Sequence, residues 1–271
     1  MNKYIPIIAF GILGLVWGSN FIYMKWASEI ISPLQIVFIR VLFGFIPVVC
    51  YAFFVKAIKL EHLKYSFHFL VMSLLGTTIY YYFYIKASPL LLSGVMGVLS
   101  GSIPLFTFIL AYIFIKDEKI NSTMVFGVIM GFIGVVLIAN PFNQNLFQSN
   151  IEGVIYVTVG SLIVGSSFVY AKKFLSPLKI HFAALTSYQL GFALVLLLFI
   201  TDYEGIENIA SDTHVFLGTL IGLGLLGTGL AYILYYFIIE KLGAVTASSA
   251  TYVPPVIALL IGYLFVDEEI G

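Results

Sequence analysis

Charge is what this chain has least of. Only 10% of its 271 residues are charged while 61% are apolar, against about 25% and 45–50% in soluble domains. No soluble fold of this size could hide that much apolar surface, so lipid is the expected solvent. The formal net charge is zero, which leaves nucleic-acid binding without an electrostatic basis. A single cysteine, Cys50, cannot form an internal disulfide, and between Val49 and Tyr51 it reads as a small lipid-facing or packed residue. The four histidines, His62, His68, His181 and His214, all fall near the ends of apolar runs, where none could activate a serine within the membrane. His62 and His68 lack a helical ligand spacing, so no metal or other cofactor is expected. No G-x-x-x-x-G-K-[ST] string occurs, so no ATP site is expected and energy must come from gradients.

What is present is a series of apolar runs. Spanning a bilayer as helix takes roughly 20 apolar residues, and nine runs qualify: 4–26, 33–55, 65–86, 90–115, 122–140, 152–171, 180–200, 214–239 and 243–266. The first follows Lys3 but continues through Trp17, Gly18 and Asn20 without a small-residue cleavage pattern, so it reads as a span rather than a signal peptide. With the N-terminus in the cytoplasm, the inner segments hold ten of the thirteen Lys and Arg residues: Lys3, Lys56, Lys59, Lys64, Lys116, Lys119, Lys172, Lys173, Lys179 and Lys241. The loops at 140–151 and 201–213 have none, and carry Glu152, Asp202, Glu204, Glu207 and Asp212 on or beside them. The positive-inside rule therefore predicts a cytoplasmic N-terminus.

One unit recurs. Gly18-Ser19-Asn20-Phe21-Ile22-Tyr23-Met24-Lys25 is answered 147 residues later (165 − 18) by Gly165-Ser166-Ser167-Phe168-Val169-Tyr170-Ala171-Lys172. Ile103-Pro104 and Asp117-Glu118 return 150 residues on (254 − 104) as Val253-Pro254 and Asp267-Glu268. Because the first span runs outward and its counterpart inward, the two units, 4–140 and 152–271, are expected to be inverted copies. The second shows four runs to the first's five, so a final helix of roughly 20 residues is expected to be missing after Gly271.

These residues resemble the drug/metabolite transporter superfamily, EamA type. The resemblance rests on Trp17-Gly18-Ser19-Asn20-Phe21 with Lys25, Arg40 after Pro33, the segment through Pro104 to Asp117-Glu118, and Leu242-Gly243-Ala244 through Pro254 to Asp267-Glu268. It implies an all-α polytopic membrane protein, an inverted-repeat bundle of five plus five helices around a central substrate cavity. It further implies export of small metabolites such as amino acids or nucleosides, in a bacterial inner (plasma) membrane.

Candidate binding residues follow from what lipid penalises. Asn20 and Trp17 share one face of the first span, and a buried amide is costly in lipid, so Asn20 should face the interior. It reads as a substrate ligand or an interhelical hydrogen bond. Ser166 and Ser167 occupy the matching stretch, with Tyr170 beyond them. Arg40 lies seven residues into its run, about 10 Å at 1.5 Å per residue, deep enough to matter yet able to snorkel outward. Lys25 and Lys86 sit near outer ends, where snorkelling is the simpler reading. Together the three cations form a positive outer vestibule and suggest a substrate with a carboxylate or other anionic group.

Tyr80, Tyr81, Tyr82 and Tyr84, and the matching Tyr232, Tyr235 and Tyr236, crowd helix ends. Tyrosines anchor membrane interfaces, but four neighbours cannot all face lipid, so the pairs Tyr80/Tyr84 and Tyr232/Tyr236 are candidates for cavity lining, with Tyr252 and Ser100. Pro104 and Pro254 fall at equivalent mid-span places and are candidate hinges, with Gly94, Gly97, Ser100 and Gly101 before the first and Ala247, Ala250 and Thr251 before the second. Gly222-Leu223-Gly224-Leu225-Leu226-Gly227 matches G-x-G-x-x-G, but it lies inside an apolar run with no preceding strand, so helix packing explains it.

A secondary carrier working by alternating access is the leading reading, with membrane lipid and a small-molecule substrate as partners. No Asp or Glu lies mid-span, which favours facilitated diffusion or exchange over proton antiport. The alternative is a polytopic enzyme acting on a lipid-linked substrate, for which Glu61–His62 and Asp212–His214 are the available acid–histidine neighbours. A passive receptor or scaffold would not need duplication. Whether the chain forms a homo-oligomer is left open.

Overall fold

A computed structural model describes residues 4–115, 121–139, 150–257 and 260. Lys3, Lys116-Asp117-Glu118-Lys119, the loop 140–149 and Asp267-Glu268, all used in the sequence reading, lie outside the described residues. No strand occurs among the described residues. The helices are α1 (Ile5–Ser28), α2 (Pro33–Phe54), α3 (Ser66–Ser73, Leu74–Thr78 and Ile79–Ala87 in one run), α4 (Ser93–Phe114), α5 (Ser122–Ala139), α6 (Ile151–Leu178), α7 (Phe182–Ile200) and α8 (Thr213–Leu242). The ninth, α9, starts with Ala244–Ser248, tightens into a 3₁₀ turn at Ser249–Tyr252 and continues helically through 253–257.

Six of these, α1, α2, α4, α6, α7 and α8, are long and apolar enough to cross a membrane. The tyrosines, His68 and hydroxyl residues of α3 lower its apolarity, so it falls outside that set. The helices are apolar on opposite faces, as lipid-bathed helices must be. α7 buries Leu190, Ala193 and Leu197 while exposing Val195, Leu198 and Phe199.

Helix ends are closed locally. Ser32 and Gln35 form a capping box at the start of α2. The Gln35 amide also donates to the carbonyls of Asp202 and Glu204 at 2.9 and 2.8 Å, pinning the α7–α8 loop to α2. Asn150 caps α6 and Asp212 caps α8. Gly243 joins α8 to α9 at φ 86°, ψ 171°, a region essentially restricted to glycine.

Lipid offers helices no hydrophobic reward for meeting, so small residues and close approach do that work. A Cβ at Gly44 of α2 would lie 2.9 Å from the Gly224 carbonyl oxygen of α8, and one at Gly229 would lie 2.9 Å from the Gly44 carbonyl oxygen. Gly14 and Gly18 of α1 seat Val253 and Ile257 of α9. Within the G-x-G-x-x-G string, Gly222 receives Tyr23, Gly224 receives Phe43 and Gly227 receives the Asn20 amide. Each glycine thus admits a neighbour's side chain.

The backbone departs from α geometry at several places in these spans. Wide π turns occur at Leu74–Thr78 in α3, Ala171–Leu175 in α6 and Gly218–Leu230 in α8. Such turns are rare and concentrate at functional sites. α4 is broken at Gly101-Ser102, and Pro104 stands in the first turn of its second half, where its missing N–H costs nothing. Pro254 follows the 3₁₀ turn of α9 in the same manner.

Candidate functional site

α1, α2, α3, α4, α6 and α9 line a cavity of about 50 Å³. Trp17, Asn20, Arg40, Tyr80, Tyr84, Ser100 and Pro254, all singled out in the sequence, lie on its wall together with Tyr81, Met24 and Thr251. One water needs roughly 10–15 Å³ of such space, so the cavity has room for a few waters. Phe21, Ile103 and Val164 make the rest of the wall apolar.

Arg40 is fully buried. It does not snorkel outward, because its guanidinium turns into the bundle and lies over the Tyr81 ring, 3.4 Å from the centroid. Its Nε donates to Thr228 Oγ1 at 3.1 Å, Nη2 to the Gly227 carbonyl at 3.5 Å and Nη1 to Met24 Sδ at 3.8 Å. None of these partners is anionic. Among the described residues this guanidinium in low dielectric is stabilised by a π face, a hydroxyl and dipoles.

Two further polar groups on the wall are unsatisfied. Among the described residues Trp17 Nε1 and Asn20 Oδ1 are buried without a hydrogen-bond partner, and both residues are more than nine-tenths buried. Trp17 is held by aromatic edges, Phe168 at 6.3 Å and Tyr235 at 6.4 Å between ring centroids. Asn20 is pressed onto Gly227. Tyr84 donates or accepts at 2.8 Å with Ser161, and Tyr80 meets Tyr84 edge to face at 5.7 Å.

The other sequence candidates lie off the cavity, and four of the five, Ser167, Tyr170, Tyr236 and Tyr252, have their hydroxyls engaged by neighbours there. Ser167 Oγ donates to the Val164 carbonyl and lies 3.0 Å from Tyr235 Oη. Tyr170 Oη meets His68 Nδ1 at 2.7 Å. Tyr236 Oη donates to Gln189 Oε1. Tyr252 donates to the Val128 carbonyl at 2.7 Å and fills the notch at Gly131. Tyr232, buried, packs beside Tyr81 at 6.4 Å. Of the four tyrosines in α3, Tyr80, Tyr81 and Tyr84 turn inward and Tyr82 stays partly exposed.

The reading of the sequence missed Gln189, Thr77, Thr228 and Tyr81. Gln189 Nε2 donates to Thr77 Oγ1 at 2.7 Å, as Arg40 Nε donates to Thr228. Gln189 follows Arg40 by 149 residues (189 − 40), and Thr228 follows Thr77 by 151 (228 − 77). Gly76 abuts Gln189 and Ser167, while Gly227 abuts Asn20. The same constellation is thus built twice, once around a cation and once around a neutral amide. A signal was available: Leu74-Leu75-Gly76-Thr77 recurs as Leu225-Leu226-Gly227-Thr228.

Known proteins agree with this architecture. The EamA-like transporter family model matches residues 5–140 and again 151–271. The Uncharacterized transporter YoaV of Bacillus subtilis is 28% identical over 259 residues, covering 94% of this chain and 87% of its own length. The Uncharacterized inner membrane transporter YedA of Escherichia coli is 26% identical over 177 residues, 63% of this chain and 53% of that protein. A protein of known crystal structure superposes with a TM-score of 0.65 at 17% identity, covering 94% of this chain and 88% of that one, which speaks to the fold alone. The chain is a multi-span membrane protein and belongs to the EamA-like transporter family.

Proposed function

We propose that this protein is a secondary carrier that exports small metabolites across the plasma membrane by alternating access. The observation that carries the reading is the pair of matched polar constellations, Arg40 with Thr228 and Gln189 with Thr77, set against a small cavity. Alternating access requires two similar assemblies that exchange shape. Here the two proposed inverted units contribute crosswise, since α2 meets α8 while α7 meets α3. Opening one constellation while closing the other would expose the cavity to alternate sides. Pro104 and Pro254, each beside a locally irregular turn, supply the hinges. Facilitated diffusion or exchange is the coupling mode, because no Asp, Glu or His stands among the described residues on the cavity wall.

The test is reconstitution into vesicles loaded with amino acids, nucleosides and organic acids, with mass spectrometry of what leaves, with and without a pH gradient. Selective, saturable loss of one class that persists without the pH gradient supports the reading. Retention of every class by folded protein counts against a carrier, and strict dependence on the pH gradient overturns the coupling mode.

A further inference from the structure

We infer that the carried solute is a small monocarboxylate bearing its own N–H or O–H donor, with the carboxylate received by Arg40; this rests on the carrier reading above. Arg40 lines the cavity and is fully buried, yet it forms no ion pair among the described residues. Its guanidinium offers five N–H donors in a planar fork. Only the bond to Thr228 is of ordinary length, and those to Gly227 and Met24 are at 3.5 and 3.8 Å. A carboxylate presents two coplanar acceptors that match this fork.

Charge counting narrows the class. Arg40 is the single Lys, Arg or His among the described residues on the wall, so one negative charge is neutralised and a phosphate dianion would leave a charge unpaired in low dielectric. The remaining wall specifies the rest of the solute. Asn20 Oδ1 is an unfilled acceptor and asks for a donor, while Trp17 Nε1 is an unfilled donor. Tyr80, Tyr84, Phe21, Ile103 and Val164 offer an apolar and aromatic surface to the body of the molecule.

The second constellation supplies the control. Gln189 occupies the counterpart of Arg40 and is buried with its amide bonded to Thr77. Arg40→Gln therefore installs a side chain that the same local geometry already accommodates, with Thr228 as its partner. A role for Arg40 confined to tying α2 to α8 predicts that Gln preserves transport.

The experiment measures efflux from vesicles containing wild-type protein or R40Q, each loaded with hydroxy- and amino-carboxylates paired with their primary amides. Wild type is expected to move acids at least ten-fold better than their amides, equivalent to about 1.4 kcal/mol. R40Q is expected to lose that preference while remaining monodisperse with an unchanged helical spectrum. Equal transport of acids by R40Q, or equal transport of acid and amide by wild type, overturns the assignment while leaving the carrier intact. Efflux of no solute at all removes the carrier and the assignment with it. Should R40Q fail to fold, the acid-to-amide ratio of the wild type decides alone.

Discussion

At the scale of single residues, burial converts ordinary side chains into demanding ones. Arg40 leans on the Tyr81 ring at 3.4 Å, and a desolvated cation–π contact is worth about 2 kcal/mol. Tyr81→Phe keeps the ring and loses only two hydroxyl contacts of 3.4 Å. It should lower stability by less than about 1 kcal/mol, whereas Tyr81→Leu should cost about 2 kcal/mol or more; thermal unfolding in detergent ranks the two. Gln189→Leu leaves Thr77 and Tyr236 without their partner in a buried setting. A loss of about 1–3 kcal/mol is expected there, and a null effect would mean that water replaces the amide. His62 provides a titration outside the spans. Burial lowers its pKa below the ordinary 6.5, Glu61 opposes this, and Lys59 and Lys64 add to it. The neutral ring is therefore favoured in the fold, and the stabilisation it lends is complete above pH 6.5 and lost as pH falls through the lowered pKa. The contact at risk is with Tyr188 Oη at 3.0 Å. Unfolding midpoints between pH 7.5 and 5 should drop more for wild type than for His62→Gln.

At the scale of helices, glycine placement decides which spans touch. Gly227 sits in the π stretch of α8, and its missing Cβ is where the Asn20 amide rests. Gly227→Ala should push Asn20 aside and cost about 1–3 kcal/mol by overpacking. Gly227→Ala with Asn20→Ala should recover stability, since the crowded pair is relieved together, yet transport should stay impaired because Asn20 lines the cavity. Recovery of both would show that Asn20 serves packing alone. The crowding was not legible in the G-x-G-x-x-G string, which says that something packs closely but not what. Apolar periodicity did locate the helices, because lipid forces every backbone group into an intrahelical bond and leaves long apolar runs few alternatives. It did not foretell the π turns.

At the scale of the whole molecule, the charge bias of the loops implies orientation. In a Cys50→Ser background, Glu207→Cys should react with a membrane-impermeant maleimide in intact cells, and Lys59→Cys only after lysis; both positions are exposed. The reverse pattern would place the N-terminus outside. Composition pointed to lipid as the solvent, since 61% apolar and 10% charged residues are incompatible with water, and the long apolar runs pointed to helices. The recurring segments were enough to suggest duplication, while the cost of polar groups in lipid selected Asn20, with Trp17 on its face, and Arg40. Which hydroxyls and tyrosines face the cavity was decided only in three dimensions. Ser167, Tyr170, Tyr236 and Tyr252 spend their polar groups on neighbours distant in sequence, and residue spacing carries no record of a partner 47 to 124 positions away. The asymmetry between Arg40 and Gln189 likewise stands in the sequence as two unrelated letters. Packing against Thr228 and Thr77 makes them counterparts, because a buried cation and a buried amide must each find an oxygen where lipid supplies none.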